Sequence, residues 1–319
     1  MGKIAFVFPG QGSQKVGMAH ELAKEYDSCK NIFQAADERL QFPLSDVIFS
    51  GPAEKLKKTE NTQPALLTTS IAILSILKEQ GVSADYVAGH SLGEYSALVA
   101  AEAMSFEDAV YTVRKRGLFM EEAVPSGEGA MAAILGMERE ALENVTKEVT
   151  ENGDLVQLAN LNCPGQIAIS GTAQGVQKAS DLAKEKGARR AIQLEVSGPF
   201  HSELMKPAAD RLKGVLDEVT ISDAKIPVIA NVTAEEMTEA NDIKAKLLEQ
   251  IYSPVLWEDT VRKLLELNVD TFVEIGPGSV LSGLVRKVDR TVKTYNVSDK
   301  ESLMKVVNEC QREVNDATK

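Results

Sequence analysis

Along the first third of the chain, short apolar runs alternate with longer segments of helical period. Lys3–Phe8 is apolar and ends at Pro9-Gly10, which predicts a buried strand. Thr62–Gln80 predicts a helix stopped by Gly81. Tyr86–Gly89 is a second strand-length run and passes directly into a helical segment from about Leu92 to Ala101. Ser105 then caps a helix reaching Ala123, with Asp108 supplying negative charge to its first turn. Strand and helix alternating in this order predict a mainly parallel sheet.

The pattern changes after Pro125-Ser126-Gly127. Strands are predicted at Ala130–Leu135, Leu155–Leu161, Gln166–Gly171 and Arg190–Val196, and helices at Glu138–Glu151 and Ala173–Lys186, with a turn at Asn162–Gly165. Strand, helix, strand, strand, helix, strand is the split βαβ arrangement of a ferredoxin-like unit. Ser197-Gly198-Pro199 offers the second hinge. Strands at Val228–Asn231 and Thr271–Ile275, with helices at 242–251 and 257–267, then return to the first pattern. The expectation is an α/β fold. A catalytic core, α/β-hydrolase-like with a mainly parallel sheet, is formed by 1–126 and 199–319, and an inserted ferredoxin-like subdomain spans 127–198.

Composition narrows the class. The chain has 319 residues, 44% hydrophobic and 26% charged, as in soluble globular proteins. Its formal charge, 35 − 47 = −12, argues against non-specific nucleic-acid binding and against anionic membrane surfaces. An anionic ligand at a local basic site stays open. The longest apolar stretch, Pro64–Leu77, carries Thr68, Thr69, Ser70 and Ser75, and reads as a buried helix rather than a membrane span. Cys29, Cys163 and Cys310 show no CxxC spacing, so neither a disulfide framework nor a zinc site is expected. The N-terminal apolar run is too short for a signal peptide. A cytoplasmic monomer is the expectation.

Gly89-His90-Ser91-Leu92-Gly93 is a GxSxG motif. Such a string arises by chance in roughly one chain in ten of this length, so its placement between a predicted strand and a predicted helix carries the weight. In a nucleophile elbow the glycines remove side chains that would clash, and the serine stands at the positive end of a helix. The amide of Leu92, next in the chain, is suited to a developing oxyanion. A serine nucleophile needs a base. Of the three histidines, His20 lies in a polar amphipathic stretch and reads as a surface residue. His90 adjoins Ser91, and neighbouring side chains on such a turn diverge. His201 remains, in the turn-rich loop Ser197–Ser202, with an ordinary hydrogen-bonded loop histidine as the plain alternative. Among 47 acidic residues no third member stands out.

On a wheel of about 100° per residue, Ala109, Val113, Arg116, Met120 and Val124 fall within roughly 80° of each other. Arg116 therefore faces an apolar stripe. Either a buried carboxylate or an anionic ligand must pair with it. The loop Phe8–Gln14 lacks GK[ST] and GxGxxG, so nucleotide binding is not expected, although such a loop can turn the Gln11 amide toward a neighbouring site. Gly276-Pro277-Gly278 reads as ordinary turn chemistry.

Together, FVFPGQGSQ at 6–14, GHSLGEYSALVAA at 89–101, RGLFMEEAV at 116–124, GPFHSELMKPA at 198–208 and EIGPGSVL at 274–281 resemble the malonyl-CoA:acyl carrier protein transacylase family of type II fatty acid synthesis. The resemblance runs nearly end to end, inserted segment included. It implies Ser91 as acylated nucleophile, His201 as general base, oxyanion amides from Gln11 and Leu92, and Arg116 on the malonyl carboxylate. It also implies that a backbone carbonyl at Gln250 orients the histidine, in the segment Gln250–Val255. Malonyl-CoA and an acyl carrier protein are the implied partners, and no metal or redox cofactor is implied, coenzyme A entering as the substrate thioester. Three rivals stay open: a serine hydrolase such as a thioesterase, a non-catalytic domain keeping the fold, and a transferase for another acyl group such as methylmalonyl or acetyl. Carrier proteins of this pathway are acidic, so Lys184, Lys186, Arg189 and Arg190, or Arg286, Lys287 and Arg290, are candidate docking patches.

Overall fold

The computed structural model describes residues 2–317, with side chains through residue 310. Among the described residues there are ten strands: β1 (Lys3–Phe8), β2 (Tyr86–Gly89), β3 (Gly129–Leu135), β4 (Val156–Cys163), β5 (Gln166–Thr172), β6 (Arg190–Gln193), β7 (Val228–Ile229), β8 (Glu236–Met237), β9 (Val269–Ile275) and β10 (Lys293–Val297). Six of them form one sheet in the order β10-β9-β1-β2-β7-β8. All neighbours in it are parallel except the edge pair β7–β8.

The alternation within β1 accounts for the layering. Successive side chains of a strand point to opposite faces. Ala5 and Val7 pack with Trp257, Val261 and Phe272 on one side of the sheet. Phe6 and Phe8 join the main core on the other, with Leu66, Ile73 and Val110. Both faces are covered, which is why β1 reads as a continuous apolar run rather than an alternating one. The helix Thr59–Glu79 starts three residues before its predicted position and is buried almost throughout. The helix Phe106–Glu122 lies against it, and Ser105 Oγ accepts the Asp108 amide at 3.0 Å as its cap. The two helices touch closely at Gly117, where a Cβ would stand 2.6 Å from the carbonyl oxygen of Thr59. That approach brings Arg116 beside Gln63.

The remaining four strands form a separate antiparallel sheet in the order β4-β5-β3-β6. The helices Arg139–Glu151 and Ala173–Glu185 cover one face around Ile134, Leu142, Val145, Ile169 and Val176. The other face contributes Met131, Ala159 and Ala168 to the main core. β4 is also tied to the chain after Gln250, since Leu161 donates to the Val255 carbonyl at 2.9 Å and Val255 donates to Ala159 at 2.8 Å.

Several boundaries differ from the sequence reading, three of them near the cleft. β6 ends at Gln193, not Val196. Val196 N–H bonds back to the Leu194 carbonyl at 3.0 Å, a tight turn that takes the chain off the ladder. β4 continues through Cys163, so the turn shrinks to Pro164-Gly165, where Gly165 has φ 69°. β7 ends at Ile229, which releases Asn231 for other bonds. The segment before Thr59, left unassigned by its sequence, forms helices His20–Glu25, Asp27–Leu40, Leu44–Ser50 and Ala53–Lys57. His20 is half-buried rather than a plain surface residue, because its ring stacks on Phe49 with centroids 4.5 Å apart. No described helix is long and apolar enough to cross a membrane.

Candidate active site

The turn from β2 into the helix Gly93–Ala100 explains the GxSxG spacing. A Cβ on Gly89 would stand 1.9 Å from the backbone of Gly93, and one on Gly93 would stand 2.1 Å from the carbonyl oxygen of Phe8. Neither position tolerates a side chain. Between them Ser91 has φ 51°, in the left-handed region that costs a non-glycine residue about 1–2 kcal/mol. Its surroundings hold it there. The Ser91 amide donates to Asn231 Oδ1 at 2.7 Å, and the Ser91 carbonyl accepts from Gln250 Nε2 at 2.9 Å. Asn231 Nδ2 donates to the Gly89 carbonyl at 2.7 Å, bracing the strand side of the turn.

His201 lies opposite, 3% exposed, with Nε2 2.7 Å from Ser91 Oγ and Nδ1 2.8 Å from the Gln250 carbonyl. A carbonyl only accepts, so Nδ1 carries the hydrogen and Nε2 presents its lone pair to the serine hydroxyl. Burial, and then the positive charge of Arg116, pull the His201 pKa down to about 3. The imidazole is therefore neutral, and competent to take a proton, across the neutral range. No carboxylate touches it among the described residues, in line with the failure to pick an acid from the sequence.

Arg116 is 1% exposed. Its Nη1 donates to Gln63 Oε1 at 2.8 Å, and its Nη2 to Gln250 Oε1 at 2.8 Å and to Ser91 Oγ at 3.2 Å. Nε is buried without a partner. The direct partners are thus neutral, and no carboxylate oxygen reaches the guanidinium within salt-bridge distance among the described residues. Of the two outcomes left open by the helical wheel, the internal salt bridge is not the one found.

Ser91, His201 and Arg116 open into a cleft of about 340 Å³ between the two sheets, lined also by Gln11, Leu92, Met131, Asn160 and Leu194. Gln11 and Leu92 line it, and their backbone amides donate to no backbone carbonyl among the described residues. His90 is turned away from Ser91 Oγ, with Nε2 2.8 Å from Asn162 Oδ1. Gly276 packs against Pro9 and Ser70, so that loop keeps its structural reading. Three residues at the site went unnoticed in the sequence: Gln63, Glu94 and Asn231. The available signal was a lone polar or acidic residue inside an apolar segment, most plainly Glu94 in Leu92–Ala101.

Comparison with known proteins then places the chain. The family profile described as acyl transferase domain matches residues 5–319. A malonyl CoA-acyl carrier protein transacylase of Bacillus subtilis is 66% identical over 303 residues, covering 95% of this chain and 96% of that protein. The chain belongs to the malonyl CoA-acyl carrier protein transacylase family of acyl transferases. The enzyme of that name from Staphylococcus aureus is 44% identical to this acyltransferase over 95% of the chain and 98% of its own length. Among solved structures, the transacylase of Clostridium perfringens superposes with a TM-score of 0.96 at 41% identity, covering 99% of this chain and 100% of the other. A malonyl-transacylase in complex with a type II polyketide acyl carrier protein superposes with a TM-score of 0.94 at 42% identity, over 96% and 99% of the two chains.

Proposed function

We propose that this acyltransferase moves a malonyl group from malonyl-CoA to the phosphopantetheine thiol of an acyl carrier protein, by a ping-pong route through a malonyl ester on Ser91, and so supplies fatty acid chain elongation. The observation that carries the reading is Arg116, a buried guanidinium on Ser91 Oγ whose direct hydrogen-bond partners are all neutral. A fork of two charge-assisted hydrogen bonds suits a carboxylate held beside the nucleophile.

In the first half-reaction Ser91 Oγ attacks the thioester carbonyl as its proton passes to His201 Nε2. The Gln250 carbonyl steadies the resulting imidazolium through Nδ1–H. The oxyanion is received by the Gln11 and Leu92 amides, the C–S bond breaks, and the coenzyme A thiolate leaves with the proton from His201. In the second, the carrier's thiol gives its proton to His201 and attacks the ester carbonyl. Ser91 then leaves as the hydroxyl, reprotonated by His201. Protein groups and the two thioesters balance both steps, with no redox change.

The reading also takes 127–198 as a ferredoxin-like insertion in a hydrolase-like core, 1–126 and 199–319, with the cleft between them receiving the phosphopantetheine arm. The test is intact mass after mixing with malonyl-CoA. A gain of one malonyl group is expected, lost on adding carrier protein and absent in Ser91→Ala. Loss of the adduct to water alone supports a thioesterase, and an adduct persisting in Ser91→Ala removes the serine from its role.

A further inference from the structure

Glu94 has no task in those transfer steps, yet it lies directly beneath them. It is the second residue of the helix Gly93–Ala100 and is 1% exposed. Its two oxygens face two donors, the backbone N–H of Asn231 at 3.0 Å and Gln250 Nε2. The other end of the same Gln250 amide, Oε1, accepts from Arg116 Nη2 at 2.8 Å. A primary amide has one donating end and one accepting end. An ionised carboxylate on one side of Gln250 therefore settles which end is left for the guanidinium on the other.

We propose that Glu94 is a positioning residue: it fixes the polarity of the Gln250 amide, and that amide holds Arg116 in the plane that reads a carboxylate on the acyl group. The proposal rests on the malonyl reading above. Two features make it specific. Both partners of Glu94 are donors, so nothing but an acceptor at both oxygens satisfies them. One partner is a backbone N–H, which cannot turn over. Burial opposes the charge that this role requires and pushes the Glu94 carboxyl up to about 7, opposed by the bonds from Asn231 and Gln250 and by the charges of Arg116 and Lys246.

The near-isosteric change Glu94→Gln is then worse for selectivity than truncation. The new amide must give its oxygen to Asn231 N–H, which sets its NH₂ against Gln250 Nε2. That donor–donor contact does not persist: Gln250 either inverts, turning a donor toward Arg116 and its oxygen toward the Ser91 carbonyl, or moves aside, and in both cases Arg116 loses its acceptor. Glu94→Ala creates no such clash. Gln250 then keeps the Ser91 carbonyl as acceptor but loses the carboxylate, so its orientation is held less firmly rather than reversed.

The experiment measures single-turnover loading of Ser91 from malonyl-CoA and from acetyl-CoA by quenched intact mass. It compares wild type, Glu94→Gln, Glu94→Ala and Gln250→Met, with a melting temperature for each. Glu94→Gln is expected to lower the malonyl-to-acetyl ratio by about 10- to 100-fold, the range for a lost hydrogen bond to a charged group. Glu94→Ala is expected to lower the ratio by less than Glu94→Gln does. Gln250→Met, which removes the amide without touching Glu94, is expected to lower the ratio as Glu94→Gln does. A wild-type ratio in Glu94→Gln overturns the proposal, as does a larger loss of ratio in Glu94→Ala than in Glu94→Gln. Should Glu94→Gln not fold, an unchanged ratio in Gln250→Met overturns it alone. A wild type that loads acetyl as readily as malonyl removes the malonyl reading itself, and the proposal with it.

Discussion

On the Ser91 side of the cleft, Asn231, Glu94, Gln250, Gln63 and Arg116 are buried and bonded to one another or to the backbone of the turn. Across from them, the chain leaves β6 after a last bond from Leu194 N–H to the Met131 carbonyl at 2.9 Å, and that edge strand exposes Arg190 and Ile192, the latter 45%. Lys57 and Glu195 form an exposed pair at 3.9 Å across the cleft, the kind of contact that contributes roughly 0–1 kcal/mol. One wall is fixed by a network of buried hydrogen bonds with matched donors and acceptors. The other rests Leu194 and Val196 on the main core while its neighbours stay exposed. On the function proposed above, chemistry that needs ångström placement falls on the first wall, and the surface that admits and releases a long thioester arm falls on the second. Substitutions should therefore have large, substrate-dependent effects on the first wall and small, salt-dependent ones on the second.

The steepest test lies at the base. His201→Ala is expected to slow malonyl loading by about 10²–10⁴-fold, the usual contribution of general base catalysis. His90→Ala is expected to leave loading nearly unchanged, because its ring bonds to Asn162 and not to Ser91. Equal losses in both, at equal melting temperature, would remove the distinction drawn between the two histidines.

Next comes the guanidinium. Removing one partner of a buried charge pair costs about 2–5 kcal/mol, or roughly 30- to several-thousand-fold. Arg116→Ala should lose that much in kcat/KM for malonyl-CoA while acetyl-CoA is spared or improved. Arg116→Lys should recover part of the malonyl rate, since a point charge does not reproduce the fork. Parallel losses with both substrates would make Arg116 a structural residue.

Acidity gives a smaller and graded effect. Glu94, raised to about 7 by burial, loses its carboxylate form as pH falls through that value. His201, lowered to about 3, stays neutral over the same range. Malonyl loading is expected to decline below neutral pH while acetyl loading declines less, measured with both thioesters between pH 5.5 and 8.5. A flat malonyl profile across that range would mean Glu94 does not titrate there.

The smallest effect belongs to the open wall. Lys184 and Lys186 already pair with Asp181 and Glu148, at 2.8 and 2.6 Å, whereas Arg189 and Arg190 are exposed beside the strand that leads to Leu194. Lys184→Glu with Arg190→Glu is expected to slow carrier-protein transfer several-fold at low salt and hardly at all at high salt, with loading from malonyl-CoA unchanged. Unchanged transfer would move the docking patch to Arg286 and Lys287, which bond instead to Thr294 and Gln166 at 2.7 and 2.8 Å.

Local rules reached far into this fold. Short apolar runs ended by Gly or Pro, helical periods and the N-cap at Ser105 determined β1, β2 and the helix Phe106–Glu122 to within a residue or so, and the order of elements in 129–193 followed from the same signals. The GxSxG spacing singled out Ser91, because the steric need for glycine on both sides of a left-handed serine is written in five consecutive residues. The wheel likewise showed Arg116 facing inward. What it could not show was the partner, because Gln63 and Gln250 come from helices 53 and 134 residues away in sequence. Glu94 and Asn231 were silent for the same reason. A buried polar residue is defined by the donors and acceptors that tertiary packing brings to it, and no local period records those. The sequence by itself determined many of the backbone segments and the turn on which Ser91 sits. Only the tertiary structure decided which polar ends face each other beneath it, because hydrogen-bond polarity belongs to pairs of groups and not to single residues.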